Sequence, residues 1–146
     1  MATLEELQKR LRVLEDIEEI EKLHRDYVYS LSSRQWDVWL DCFAEDAVAD
    51  IQMHTLRRGK KEIEKLIYED FEKLPKTPGH LAEQPMITVD GDRAKGYWIL
   101  YLFRDGEPFW IQGRHDCEYV RVDGKWKFSL VRFKRPWPPV PEKETP

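Results

Sequence analysis

Long apolar runs are missing from this chain. No stretch approaches the ~20 residues that a membrane-spanning helix needs, so no transmembrane segment is expected. Cysteine is scarce. The two present, Cys42 and Cys117, form neither a CxxC pair nor a disulfide framework, which points to a reduced, cytoplasmic protein. Charge of one sign is absent too: 24 Lys and Arg stand against 28 Asp and Glu, for a net charge of −4. The two signs are interspersed, so the one-sided basic footprint of a nucleic-acid binder is not there. The N-terminus, MATLEELQKRLRVLE, is charged and lacks the apolar centre of a signal peptide. There is no Walker loop, GxGxxG, GxSxG or HExxH. The four histidines, His24, His54, His80 and His115, are scattered without metal spacing, and neither cysteine has a local histidine partner. No metal site, cofactor or thiol nucleophile is therefore expected.

What is present is enough for one domain with a sizeable core: 146 residues, 41% of them hydrophobic. The reading is a single domain over 1–146, with a core at about 10–135 and a proline-rich tail, 136–146, that continues neither helix nor sheet. Leu4, Leu7, Leu11 and Leu14 alternate spacings of three and four, the seam of an amphipathic helix. The seam runs on through Ile17, Ile20, Leu23, Tyr27 and Leu31, with a small change of register near Asp16. The leucines pack either against the domain's own body or against a partner subunit, since so long a helix overhangs a small domain. A second short helix is read in WDVWLDCFAED, with Trp36, Leu40 and Phe43 on one side. AVADIQM reads as a strand and GKKEIEKLIYEDFEKL as a third helix.

After Pro75 the apolar period switches to two. Four strands follow, in PMITVDGD, RAKGYWILYLFRDG, EPFWIQGRHDCEYVRVDG and KWKFSLVRFKRPW. Asp90-Gly91, Asp105-Gly106 and Asp123-Gly124 mark the hairpin turns between them. Helices first and long antiparallel strands afterwards make an α+β domain. A mostly antiparallel sheet curved around the N-terminal helices would leave a cone with an apolar cavity, the natural place for a small molecule.

His80 follows a Thr-Pro-Gly turn and opens a strand-like run, the position of a base, a ligand or a hydrogen-bonded residue at the core edge. In GRHDCEYVRV, alternation puts Gly113, His115, Cys117 and Tyr119 on one face, the less charged and hence inner one. By the same rule Trp98, Leu100, Leu102 and Arg104 share a face of the neighbouring strand. Two histidines, a tryptophan and an arginine would then converge on one cavity.

Residues of about 10–135 resemble the SnoaL-like, nuclear-transport-factor-like superfamily. The segments that carry the resemblance are YVYSLSSRQWDVWLDCFAEDAVADI, GKKEIEKLI, GHLAEQPMITVDGDRAKGYWIL and GRHDCEYVRVDGKWKFSLVRF. The likeness is strongest to the branch holding scytalone dehydratase, bile-acid 7α-dehydratase and lindane dehydrochlorinase. It rests on Trp36-Asp37, on the lone His80 after the third helix, and on RVDGKWKF. It implies a cystatin-like α+β barrel, and a histidine base oriented by an aspartate. His80 falls on the histidine, but the aspartate position holds Ser32, which carries no charge to stabilise an imidazolium. His115 falls where scytalone dehydratase has an asparagine, Ile51 where it has a pocket tyrosine, and Arg104 where it has a second histidine. Tyr27 matches a pocket tyrosine of the bile-acid enzyme. The implied catalytic set is His80, Ser32, Tyr27 and His115. The implied pocket wall comprises Leu31, Trp36, Ile51 and Met53 from the first half, and Trp98, Leu100, Leu102 and Arg104 from the second.

Two functions follow from this reading. One is a cofactor-free, dehydratase-like lyase or isomerase acting on an apolar cyclic molecule, with His80 as general base. The other is a small-molecule-binding protein of the same fold without catalysis. A purely structural role would use the leucine seam. The expected partners are a small apolar cyclic ligand and further copies of the chain, as a homodimer or homotrimer, with neither nucleic acid nor membrane.

Overall fold

The computed structural model describes residues 1–51, 55–74, 79–103 and 110–134. Met53, Arg104, Pro78, the Asp105-Gly106 turn and the proline-rich tail lie outside the described residues.

The leucine-rich N-terminus forms one helix, α1 (Leu4–Ser33), started by Thr3 and Glu6 in a reciprocal capping box and ended by Arg34 at φ 58°. Two further helices follow, α2 (Trp36–Asp41) and α3 (Lys60–Glu69), the latter running into a 3₁₀ turn at Phe71–Lys73. The strands are β1 (Phe43–Ile51), β2 (Arg57–Arg58), β3 (Gly79–Asp90), β4 (Arg93–Phe103), β5 (Ile111–Val122) and β6 (Lys125–Lys134). They make one sheet in the order β2-β1-β6-β5-β4-β3. Every pairing is antiparallel except β1 with β6, which is parallel. The sheet is curved and unclosed, and the fold is α+β as the order of helical and strand patterns implied.

Several boundaries differ from the sequence reading. Phe43, expected on the second helix, opens β1 beside Phe128, and the fully buried anchor of α2 is Trp39. The third helix stops at Glu69 rather than continuing to Leu74. β3 starts at Gly79, six residues before the expected start at Pro85. Pro85 has no N–H to give a ladder, and here it sits in a bulge where Gln84 takes φ 53° and the register shifts between Glu83 and Met86. An edge strand tolerates such a residue.

The inner face of the sheet carries the core. Tyr27 of α1, Trp39 of α2, Leu66 of α3 and Phe43, Tyr119, Phe128 and Val131 of the strands belong to the main cluster. A smaller cluster of Leu100, Ile111 and Phe133, flanked by Ile51, Ala82 and Leu102, sits apart from it. Two glycines make this packing possible. A Cβ on Gly113 would overlap the Phe133 ring, and one on Gly96 would lie 2.9 Å from the ring of Tyr119. Asp16 explains the register change in α1: it is buried and accepts hydrogen bonds from Arg121 (2.7 Å) and Trp126 (3.2 Å). Every residue before it is exposed, Leu4, Leu7, Leu11 and Leu14 included. Packing of the seam against the chain's own body is thereby overturned.

Candidate functional site

Register places the site. Directly opposed residues of an antiparallel pair share a face. His80 opposes Leu102, Ala82 opposes Leu100, Trp98 opposes His115, and His115 in turn opposes Phe133. The inner face thus runs from His80 on the edge strand to His115 two strands away. The last turn of α1 crosses the start of β3 there. Ser32 Oγ and His80 Nδ1 are 3.2 Å apart. Nε2 of His80 has no hydrogen-bond partner among the described residues. Leu100 and Leu102, with Ile51 and Phe133, form the apolar wall around this end.

His115 belongs to a chain of polar groups. Its Nδ1 lies 3.2 Å from Nε2 of His24, whose Nδ1 lies 3.2 Å from the Tyr119 hydroxyl, and Trp98 Nε1 donates to that hydroxyl at 3.0 Å. The His24 ring stacks on Trp98 with centroids 4.0 Å apart. Trp98 is therefore tied into the chain by both its ring and its N–H. All four side chains are buried. Burial disfavours charge. It pulls His80 from its ordinary 6.5 to about 4, and pulls His115 to about 3 with help from the neighbouring His80 and against Asp116. His24 is lowered well below 6.5 by burial and by His115. The three imidazoles are neutral at neutral pH. Burial likewise raises Tyr119, Tyr27 and the Cys117 thiol, which stay protonated.

The other candidates are less uniform. Tyr27 packs in the main core with its ring 5.8 Å from His115. Leu31 is half-buried against the same core. Trp36 points toward the helices: it stacks on Phe71 and donates to Glu72 at 3.2 Å. His24 and its bond to Tyr119 are what the sequence reading missed. The signal was its place on the 16–20–24–27 face of α1, where every other member is buried.

His24, His115 and Cys117 also offer donor atoms that all lie within 4.8 Å of one another, a set suited to a borderline-soft cation such as zinc. The facing nitrogens already share a hydrogen bond, so a cation there would have to displace the proton between them. A groove of about 420 Å³ lies elsewhere, between α1, α2 and the β5–β6 turn, and its wall mixes Lys22, Lys125 and Lys127 with Glu19, Asp26 and Asp41. No candidate residue lines it.

Among solved structures, the chain is similar to an NTF2-like protein with a cystatin-like fold from Novosphingobium aromaticivorans. The two are 23% identical, with 91% of this chain and 90% of that one covered and a TM-score of 0.79. It is similar to the hexachlorocyclohexane dehydrochlorinase LinA-type3 of Novosphingobium barchaimii at 20% identity, over 86% and 89% of the two chains, with a TM-score of 0.76. A third likeness is to a protein of N. aromaticivorans with a provisional scytalone dehydratase name: 21% identity, 83% and 84% coverage, TM-score 0.71. These likenesses show the shared fold. No curated protein sequence matches the chain. The description of the SnoaL-like domain matches residues 12–132, most of the chain, and the protein belongs to that family.

Proposed function

We propose that the protein is a dehydratase-like lyase or isomerase that moves a proton on an apolar cyclic substrate, with His80 as the base. The observation that carries this reading is the Ser32–His80 contact at 3.2 Å, with Nε2 of His80 left without a partner among the described residues, beside an apolar wall. A serine does not fix the ring as a carboxylate would. If Ser32 accepts from Nδ1–H, Nε2 carries a lone pair and is a base; if Ser32 donates to Nδ1, Nε2 carries the proton. The catalytic reading needs the first state. A second reading, ligand binding without catalysis, is favoured by the same neighbourhood: among the described residues no carboxylate holds His80, and a pKa near 4 makes it a weak base.

Ser32→Asp separates the two. A carboxylate at this position locks Nδ1–H and favours the imidazolium, so the His80 pKa rises from about 4 toward or past its ordinary 6.5. Turnover of a cyclic hydroxy-ketone should rise with it. A raised pKa, seen by NMR titration, without turnover in either protein but with retained ligand binding would favour the binding reading.

The cytoplasmic location and the homo-oligomer belong to the same proposal. They are supported by two cysteines that are buried and free, and by the exposed leucines of α1. No described helix is long and apolar enough to cross a membrane.

A further inference from the structure

We propose that Trp98, Tyr119 and His24 form a one-way hydrogen-bonded chain that keeps the proton of His115 on Nε2, so that His115 offers a hydrogen bond to a carbonyl oxygen of the ligand. The direction follows from donor and acceptor capacity. An indole N–H only donates, so the Trp98 contact at 3.0 Å uses Tyr119 as acceptor. The single hydroxyl proton of Tyr119 must then go elsewhere. Its neighbours are Nδ1 of His24, at 3.2 Å, and the Cys117 thiol, which lies within its hydrogen-bonding reach. An imidazole nitrogen is a good acceptor and a thiol sulfur a weak one, so the proton goes to His24. With Nδ1 accepting, a neutral His24 carries its own proton on Nε2 and donates it to Nδ1 of His115, at 3.2 Å. His115, also neutral, must carry its proton on Nε2. That atom has no partner among the described residues. Burial keeps both rings neutral, so the order persists at neutral pH.

This inference names the substrate class of the site, and in that respect it rests on the proposed catalytic reading. His80 and His115 would act on one enolisable cyclic ketone. His80 Nε2 takes the proton from the carbon beside the carbonyl, and the C–H electron pair becomes the C=C bond of an enolate. The charge moves to oxygen, where the His115 Nε2–H holds it without giving up its proton. His80 then returns its proton, either to a departing hydroxyl, which leaves as water, or to another carbon of the same conjugated system. His115 touches the substrate; His24, Tyr119 and Trp98 are positioning residues.

Imidazole nitrogen NMR on the ligand-free protein tests the tautomer without any turnover. His115 should be protonated at Nε2 in the wild type and in Cys117→Ala. In Tyr119→Phe the His115 proton should move to Nδ1 or divide between the nitrogens, because His24 loses the donor that oriented it. A wild-type proton on Nδ1, an unchanged tautomer in Tyr119→Phe, or a flip in Cys117→Ala would overturn the chain as drawn. Binding of 2-tetralone against its hydrocarbon, tetralin, tests the ligand class. The ketone should bind roughly tenfold better than tetralin to the wild type, the worth of one net hydrogen bond. That preference should vanish in His115→Phe; equal binding of the two compounds to the wild type would count against the carbonyl. Failure of the catalytic reading alone would leave the tautomer and the ketone preference intact and turnover absent.

Discussion

Ser32 and His80 differ from an acid–base pair with a carboxylate in one respect that matters: no described residue near His80 compensates an imidazolium. The consequence reaches stability as well as chemistry. A histidine lowered from 6.5 to about 4 by burial is proton-free in the fold over a range where the unfolded chain binds a proton. Its contribution is therefore fully present above 6.5 and is lost as the pH falls through about 4. His115, lowered to about 3, acts in the same direction. Each tenfold loss of proton affinity on folding is worth about 1.4 kcal/mol, so the pair makes acid destabilisation a matter of several kcal/mol. Urea unfolding across this range should show stability falling on acidification, with a shallower fall in His115→Phe. A stability independent of pH there would mean that the rings are solvated rather than buried.

At the scale of elements, α1 is two helices in function. Its C-terminal half carries Ile20, His24, Tyr27 and Ser32 into the sheet, while its first three turns stay exposed. Asp16 is the joint, clasped by Arg121 and Trp126 of the β5–β6 hairpin. The carboxylate is nearly buried and the guanidinium partly exposed, 8% against 24% for the two side chains. Asp16→Ala would leave the Trp126 indole N–H without its acceptor and Arg121 with Asp92 as its remaining carboxylate. It should cost about 2–3 kcal/mol, below the cost of breaking a fully buried pair; a loss under about 0.5 kcal/mol by urea titration would make the joint incidental. The change of register near Asp16 was legible in the leucine spacing, and the strands from β3 to β6 were legible in the period of two, with the Asp90-Gly91 and Asp123-Gly124 turns between them. The parallel union of β1 with β6 was not, because nothing local in either strand marks a partner some 80 residues away in sequence. The same holds for His24: it kept the helical period of its face but not the apolar character that such a face is read by, so its tie to Tyr119 is visible only once the sheet is folded over it.

The whole molecule leaves one large question on its surface and one on the inner face of its sheet. The exposed leucines of α1 form a line of four among mostly charged neighbours, and a second copy of the chain is the partner proposed for them. Sedimentation should give a mass above the 17.6 kDa of one chain. Leu7→Asp with Leu11→Asp should return it to that value with little effect on folding, since neither side chain is buried in the chain itself. An unchanged mass in the double variant would remove the seam from any assembly.

The claim for the inner face is proton transfer by His80, and it can be tested without the natural substrate. The measurement is the exchange of the α-protons of an apolar cyclic ketone in deuterated water, followed by NMR with the ketone bound. The wild type should accelerate exchange above the solvent rate. His80→Ala should reduce the acceleration by about 10²–10⁴-fold while ketone affinity stays within about tenfold. Equal exchange rates in the wild type and in His80→Ala, with the ketone bound by both, would contradict the account.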